Sequence, residues 1–236
     1  MSTRLVFACS GSADNLAAIP RLASAFDADV VVLTLDVGQA AELEGVRQAA
    51  LAAGAVRAHV LDAREEFARQ CIAASRAEQA PSARPLVARK LVEVALIEGA
   101  TIVAHGGDEH DQVEIETAAR AVDAFIRVVA AAEGSAEVNH GVQPTLWERA
   151  PGRPELNEPA RLEIAFEGGL PVSVNGVPMT LTELIESVAT IAAAPAAVVF
   201  QAAHEALGAE ASRASGATVC LELVNGRHRV LSAHYS

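Results

Sequence analysis

The stretch RLVFACSGSADNLAAIPRLASAF, residues 4–26, decides the fold. Its opening run is apolar and short enough for a strand. Its closing part, AAIPRLASAF, carries apolar residues three and four apart, the period of an amphipathic helix. Between them lies a small, polar, Gly-containing turn. A turn of this kind suits phosphate, because the helix start offers unpaired backbone N–H groups and the positive end of a dipole. Two uses fit the residues equally: a nucleotide site, or a turn that merely caps a helix.

The same alternation continues outward. VVVLTLDV (30–37), VRAHVLD (56–62), TIVAHG (101–106) and FIRVVAA (125–131) are β-branched and apolar on both faces, and Ala-rich helical patterns separate them. Strands apolar on both faces belong to parallel sheets covered by helices, so the first half reads as a doubly wound α/β domain. In such sheets ligands bind beyond the carboxyl ends of the strands, where the strand order reverses. Three polar loops fall at such ends: SGSADN after the first strand, DVGQ (36–39) after the second and HGGDEHDQ (105–112) after the fourth.

Residues 133–160 are rich in Gly, Pro, Asn and Glu and read as a linker. RLEIAF (161–166) and LPVSVNG (170–176) suggest a hairpin. TLTELIESVATIAA (180–193) opens on a Thr180-x-x-Glu183 capping box, and PAAVVFQAAHEALGAEA (195–211) is a second helical pattern. Asn225-Gly226, between alternating strands, signals a closing hairpin. The expected organisation is a nucleotide-binding α/β domain over 1–133, a linker over 134–160, and a smaller, truncated α+β domain over 161–236.

The 236 residues carry a net charge of −12 and no basic block, which argues against nucleic-acid and membrane-surface partners. A small molecule is the expected partner. Cys9, Cys71 and Cys220 fit neither a disulfide framework nor a metal site and read as reduced thiols. With no apolar run near the ~20 residues that span a bilayer, the expected location is the cytoplasm.

The loops together resemble the argininosuccinate synthase family, N-type ATP pyrophosphatases of the HUP fold. The family's AYSGGLDTS loop corresponds to Ala8-Cys9-Ser10-Gly11-Ser12-Ala13-Asp14-Asn15-Leu16. Its SLARPxIARKxVEIAxxEGA run corresponds to PSARPLVARKLVEVALIEGA (81–100), and HGATGKGNDQVRFE to HGGDEHDQVEIE (105–116). Farther on, TLWER (145–149), LNEP (156–159), IAFEGGLPVSVNG (164–176) and MTLTELI (179–185) extend the likeness.

The resemblance implies ATP with Mg²⁺, AMP and pyrophosphate as products, and an amino-acid-like substrate. It assigns Ala8, Ser10, Gly11, Ser12, Asp14, Asn15, Val32 and Gly106 to ATP, and Arg84, Asp108, His110, Asp111 and Glu114 to the substrate. Departures are expected to matter. Ser12 replaces a Gly that lets backbone approach phosphate, and Asn15-Leu16 replaces a Thr-Ser pair. Glu114 replaces an Arg, and Pro81 a Ser, both used for citrulline, while Asp108 would repel an aspartate carboxylate.

A long family segment has no counterpart, the chain passing directly from Ala194 to Pro195. The expectation is therefore an ATP-dependent ligase with an altered substrate, or a pseudo-synthetase that senses nucleotide or a protein. Missing interface segments, in a family of tetramers, point to a homo-oligomer of another size, such as a dimer. His105, Asp108, Glu109, His110 and Asp111 are of metal-ligating type, but their loop reads as solvated and no metal ligand is assigned. His204 and Trp147 read as packing residues, and Cys9 as a core thiol.

Overall fold

A run of five consecutive buried residues, Val30–Thr34, lies at the heart of β2 (Ala28–Asp36), as a strand covered on both faces requires. In the computed structural model, which describes residues 3–39, 42–76, 82–107, 109–131, 147, 159–208, 216–224 and 227–235 (backbone alone at Arg76 and 109–111), two units form. The first comprises residues 1–36, 41–63 and 83–143.

The first unit holds β1 (Thr3–Ala8), β2, β3 (Arg57–Asp62), β4 (Ile102–His105) and β5 (Arg127–Ala130) in the order β3-β2-β1-β4-β5. All neighbours are parallel. The expected doubly wound sheet is the one observed. On one face, α1 (Ala13–Phe26) and α2 (Leu43–Ala52) enclose a core that includes Leu5, Phe7, Ile19 and Val32. On the other, α4 (Arg84–Glu98) and α5 (Glu109–Val122) cover Val6, Val31, Leu33 and Val103. The central strands are apolar on both faces because each face meets helices; edge strands β3 and β5 are only partly buried.

At the end of α4 the Glu98 carboxylate, nearly fully buried, receives Arg57 at 2.9 Å, His59 Nε2 at 2.9 Å and Arg4 at 3.3 Å. Burial alone would push the Glu98 carboxyl up, but the hydrogen bonds from His59 and Arg57 outweigh it and hold the group below its ordinary range. This cluster ties β1, β3 and α4 together.

The second unit comprises residues 37–40, 64–82 and 144–236. Its antiparallel sheet has the order β10-β9-β6-β7-β8, from β6 (Ala160–Glu167), β7 (Leu170–Val174), β8 (Val177–Pro178), β9 (Ala217–Val224) and β10 (Arg227–Tyr235). Strict alternation in β9 buries Ala217, Val219, Leu221 and Leu223. Gly168-Gly169 and Asn175-Gly176 have positive φ at both residues, the geometry that two-residue hairpins demand. The expected β6–β7 hairpin thus forms, and β7–β8 is a further one not anticipated from sequence. Val224 pairs with Arg227 across Asn225-Gly226, which itself lies outside the described residues.

Helices α3 (Arg64–Arg76), α6 (Leu181–Ala192) and α7 (Ala196–Leu207) pack together in this unit. The Thr180/Glu183 capping box is complete at the start of α6. The Glu65 carboxylate of α3 adds to it, accepting from Leu181 N–H, Thr182 N–H and the Thr182 hydroxyl. Trp147 is buried and stacks on Phe200 with centroids 5.6 Å apart, anchoring its segment to α7. Most of the linker around it lies outside the described residues. His204 is buried against Phe166, and its Nδ1 lies 3.1 Å from Ser75 Oγ. Among the described residues no single helix is long and apolar enough to cross a membrane.

Candidate nucleotide site

In the strand order β3-β2-β1-β4-β5 the chain winds from β1 outward in both directions, so the order reverses between β1 and β4. The loops leaving these two strands flank the crevice in which ligands of open α/β sheets bind. Ala8, the last residue of β1, pairs with Leu33 and with His105, the last residue of β4.

The turn after β1 is held by its own side chains. Ser12 is the N-cap of α1, and its Oγ accepts from the Asn15 N–H at 3.3 Å. The Asn15 side chain folds back, and its Oδ1 accepts from the Ser10 N–H at 2.9 Å and the Ser10 hydroxyl at 3.0 Å. The Gly11 N–H donates to Cys9 Sγ at 3.4 Å. Three donors at the start of the turn, the Ser10 N–H and hydroxyl and the Gly11 N–H, are thus engaged within it. Asp14 lies exposed in the first turn of α1, where an anion complements the helix dipole.

Gly11 has φ +85°, and a Cβ added there would stand 2.6 Å from Val46 Cγ2, so α2 packs directly on the turn. Cys9 is buried, and burial pushes its thiol up despite the lowering effect of the Gly11 N–H. It is a core thiol, as its place at the end of an apolar strand suggests.

The turn after β4 approaches the first closely. A Cβ on Gly106 would fall 2.2 Å from Asn15 Nδ2, so only glycine admits the Asn15 amide here. His105 is buried; its Nδ1 accepts from the Gly107 N–H at 3.1 Å, which leaves Nε2 to donate to Gln112 Oε1 at 2.6 Å. Gln112 in turn points its Nε2 at Glu116, 3.4 Å away. Both nitrogens of His105 serve this relay, which fixes the β4–α5 connection. Asp108 lies outside the described residues. His110 and Asp111 sit in the first turn of α5, and their side chains are likewise outside. Among the described residues no three His, Cys, Asp or Glu side chains converge as a metal site.

Arg84, which opens α4, meets Glu114 of α5 at 3.2 Å. The charge reversal read at Glu114 is therefore not a lone anion: it is half of an ion pair. Val32 is 1 % exposed and its side chain packs in the α1/α2 core, so only its backbone could face a ligand. The structure brings Ser10, Gly11, Asn15 and Gly106 together, and it sets Arg84 with Glu114 as a separate pair. Sequence reading misses Val46, whose packing on the turn leaves no motif, and the role of Gln112, which lies in the quoted HGGDEHDQ run but is not identifiable there as the partner of His105.

A family model described as the arginosuccinate synthase N-terminal HUP domain matches residues 4–142. The argininosuccinate synthase of Dehalococcoides mccartyi is 30 % identical over 290 residues, covering 89 % of this chain and 71 % of that protein. That of Symbiobacterium thermophilum is 34 % identical, covering 80 % and 61 %, and that of Oleidesulfovibrio alaskensis 42 % identical, covering 54 % and 35 %. The first alignment is longer than the 236 residues of this chain, so that relative carries segments with no counterpart here. Likeness of this extent reaches past the parallel sheet into the second unit: the chain belongs to the argininosuccinate synthase family.

Proposed function

We propose that this protein is an ATP-using, AMP-forming ligase whose amino-acid-like substrate is not citrulline. The observation that carries the reading is the meeting of the Ser10–Asp14 turn and the Gly106 turn at the strand-order reversal. In this reading Ser10, Gly11 and Ser12 line the phosphates once the Asn15 amide turns aside, with the α1 N-terminus contributing its dipole. Ala8 and Gly106 flank the nucleoside. A carbonyl or ureido oxygen of the substrate attacks the α-phosphorus; the new P–O bond forms as the bond to the bridging oxygen breaks, and pyrophosphate leaves. An amine then attacks the activated carbon and AMP departs. Mg²⁺, bound mainly through phosphates and water, would neutralise the leaving pyrophosphate.

The substrate side is where the reading departs from citrulline. Arg84 is engaged by Glu114, so a substrate carboxylate approaching there meets an anion beside an occupied cation. A neutral or cationic group suits the pair better. Asp108, His110 and Asp111 are assigned to the substrate, Asp111 to its ammonium. The partners of this reading are a small molecule and a second copy of the chain, in the cytoplasm, with neither nucleic acid nor membrane. The test is radiolabelled pyrophosphate–ATP exchange with Mg²⁺ over a panel of ureido, amide and amino acids. Exchange with a non-citrulline acid is expected; absence of ATP binding at millimolar concentration refutes the reading.

A second reading, a catalytically silent pseudo-synthetase that senses nucleotide or binds a protein, is favoured by one observation. The donors of the phosphate turn are already engaged within the chain. It predicts thermal stabilisation by ATP with no exchange under any acceptor. At 100 times its Kd a ligand adds about 2.7 kcal/mol, which a melting experiment reads easily.

A further inference from the structure

Asn15 stands at the third position of α1, counting from the Ser12 cap. In a capping box the side chain at this position would accept from the N-cap N–H. Here it reaches two residues farther back and takes both donors of Ser10, at 2.9 and 3.0 Å. An amide oxygen with two lone pairs matches this pair of donors as one phosphate oxygen would. The backbone N–H of Asn15 is held by Ser12 Oγ, so the base of the residue is fixed while its side chain can turn about its own bonds. Gly106 leaves the space in which the amide sits. Ser10 is exposed, so an incoming anion can reach the donors once the amide swings away.

We propose that Asn15 is an internal latch on the phosphate turn: its amide oxygen holds the two Ser10 donors, and a polyphosphate binds only by displacing it. The inference rests on the reading that this turn receives a nucleotide. Two net hydrogen bonds lost on opening correspond to a roughly tenfold to thirtyfold weakening of polyphosphate binding. Asn15→Ala removes the latch. Asn15→Asp retains an acceptor for Ser10, strengthens it with charge, and repels phosphate.

The test is calorimetric titration of the whole chain with ATP and with inorganic tripolyphosphate, each with Mg²⁺, alongside hydrogen exchange of the Ser10 amide. The expected result is tenfold or greater tightening in Asn15→Ala, weakening in Asn15→Asp, and faster Ser10 exchange in Asn15→Ala alone. If the parent protein binds ATP and Asn15→Ala binds it no more tightly, the latch is overturned and the nucleotide reading stands. If the parent fails to bind and Asn15→Ala binds, the latch stands and the native protein is not an ATP-user. If no form binds either probe, both fall. Unchanged Ser10 exchange in Asn15→Ala overturns the latch even where that variant binds more tightly.

Discussion

Gly11→Ala is the sharpest probe of how the turn between β1 and α1 is built. Its φ of +85° disfavours any residue with a Cβ, by about 1–2 kcal/mol. The added Cβ would also lie 2.6 and 2.9 Å from the two γ-carbons of Val46. Val46 is β-branched and sits on α2, so it cannot rotate away freely; overpacking of this kind costs about 1–3 kcal/mol. The sum is about 3 kcal/mol. Val46→Ala alone trims a partly buried side chain, for about 0.5–1 kcal/mol. In Gly11→Ala/Val46→Ala the contacts at 2.6 and 2.9 Å disappear, while the tight 3.3 Å contact to the Cβ of residue 46 and the backbone strain remain, so the pair should couple favourably by about 1–2 kcal/mol. Urea unfolding followed by far-ultraviolet circular dichroism measures all four corners of the cycle. Strict additivity would show that α2 does not press on the turn, and a neutral Gly11→Ala would show that the turn is not held in this conformation.

Glu98→Gln should cost about 2 kcal/mol near neutral pH, less than a fully buried pair because Arg4, Arg57 and His59 are each more than a third exposed. The Glu98 carboxyl is lowered from 4.5 in the folded state, so its contribution is present above that value and is lost as pH falls through the folded pKa; Glu98→Gln should flatten the acid limb of stability measured by chemical denaturation. Glu65→Ala leaves three donors at the start of α6 without their carboxylate and should lower stability by about 1–2 kcal/mol in the same assay. Iodoacetamide at pH 8 should label Cys220, which is partly exposed, well before buried Cys9 and Cys71; mass spectrometry showing Cys9 labelled first would contradict the core-thiol assignment.

The first sheet is legible in the sequence because strands apolar on both faces have one economical arrangement, and β1, β2 and β4 are of that kind. The β6–β7 hairpin is legible because Gly168-Gly169 supplies the positive φ its turn needs, whereas the Asn175-Gly176 turn is not anticipated from sequence. The grouping of α3 is not legible, since a helical period does not say which sheet its apolar side covers. That choice is made by Glu65 on the α6 N-terminus and by Ser75 on His204. At the site, residue types identify the turn but not its internal bonds. Glu114 taken alone implies repulsion, whereas the structure sets it against Arg84, 30 residues away in sequence. Residue type does not say that Val32, four residues short of the end of β2 at Asp36, gives its side chain wholly to the core.

The persistence of Ser10, Gly11 and Asp14 does not by itself require a ligand. Ser12 caps α1, Asn15 satisfies Ser10, and Cys9 accepts from Gly11, so this turn is stable on internal terms. What separates a working nucleotide site from an inherited turn is the balance of two competing acceptors. The Asn15 amide is neutral and tethered, and it loses little entropy by staying. A phosphate oxygen is charged, and hydrogen bonds to charged acceptors are roughly twice as strong as neutral ones; it also gains from the α1 dipole. Phosphate therefore wins at each donor, but only by the difference, and that difference is what sets affinity. Asp14, exposed in the same first turn, subtracts from the phosphate's side because it is an anion in the same field. If Asn15 is such a latch, the turn would answer only to high nucleotide concentrations and would reject lone phosphate, because a single anion could not repay both the displaced amide and the repulsion.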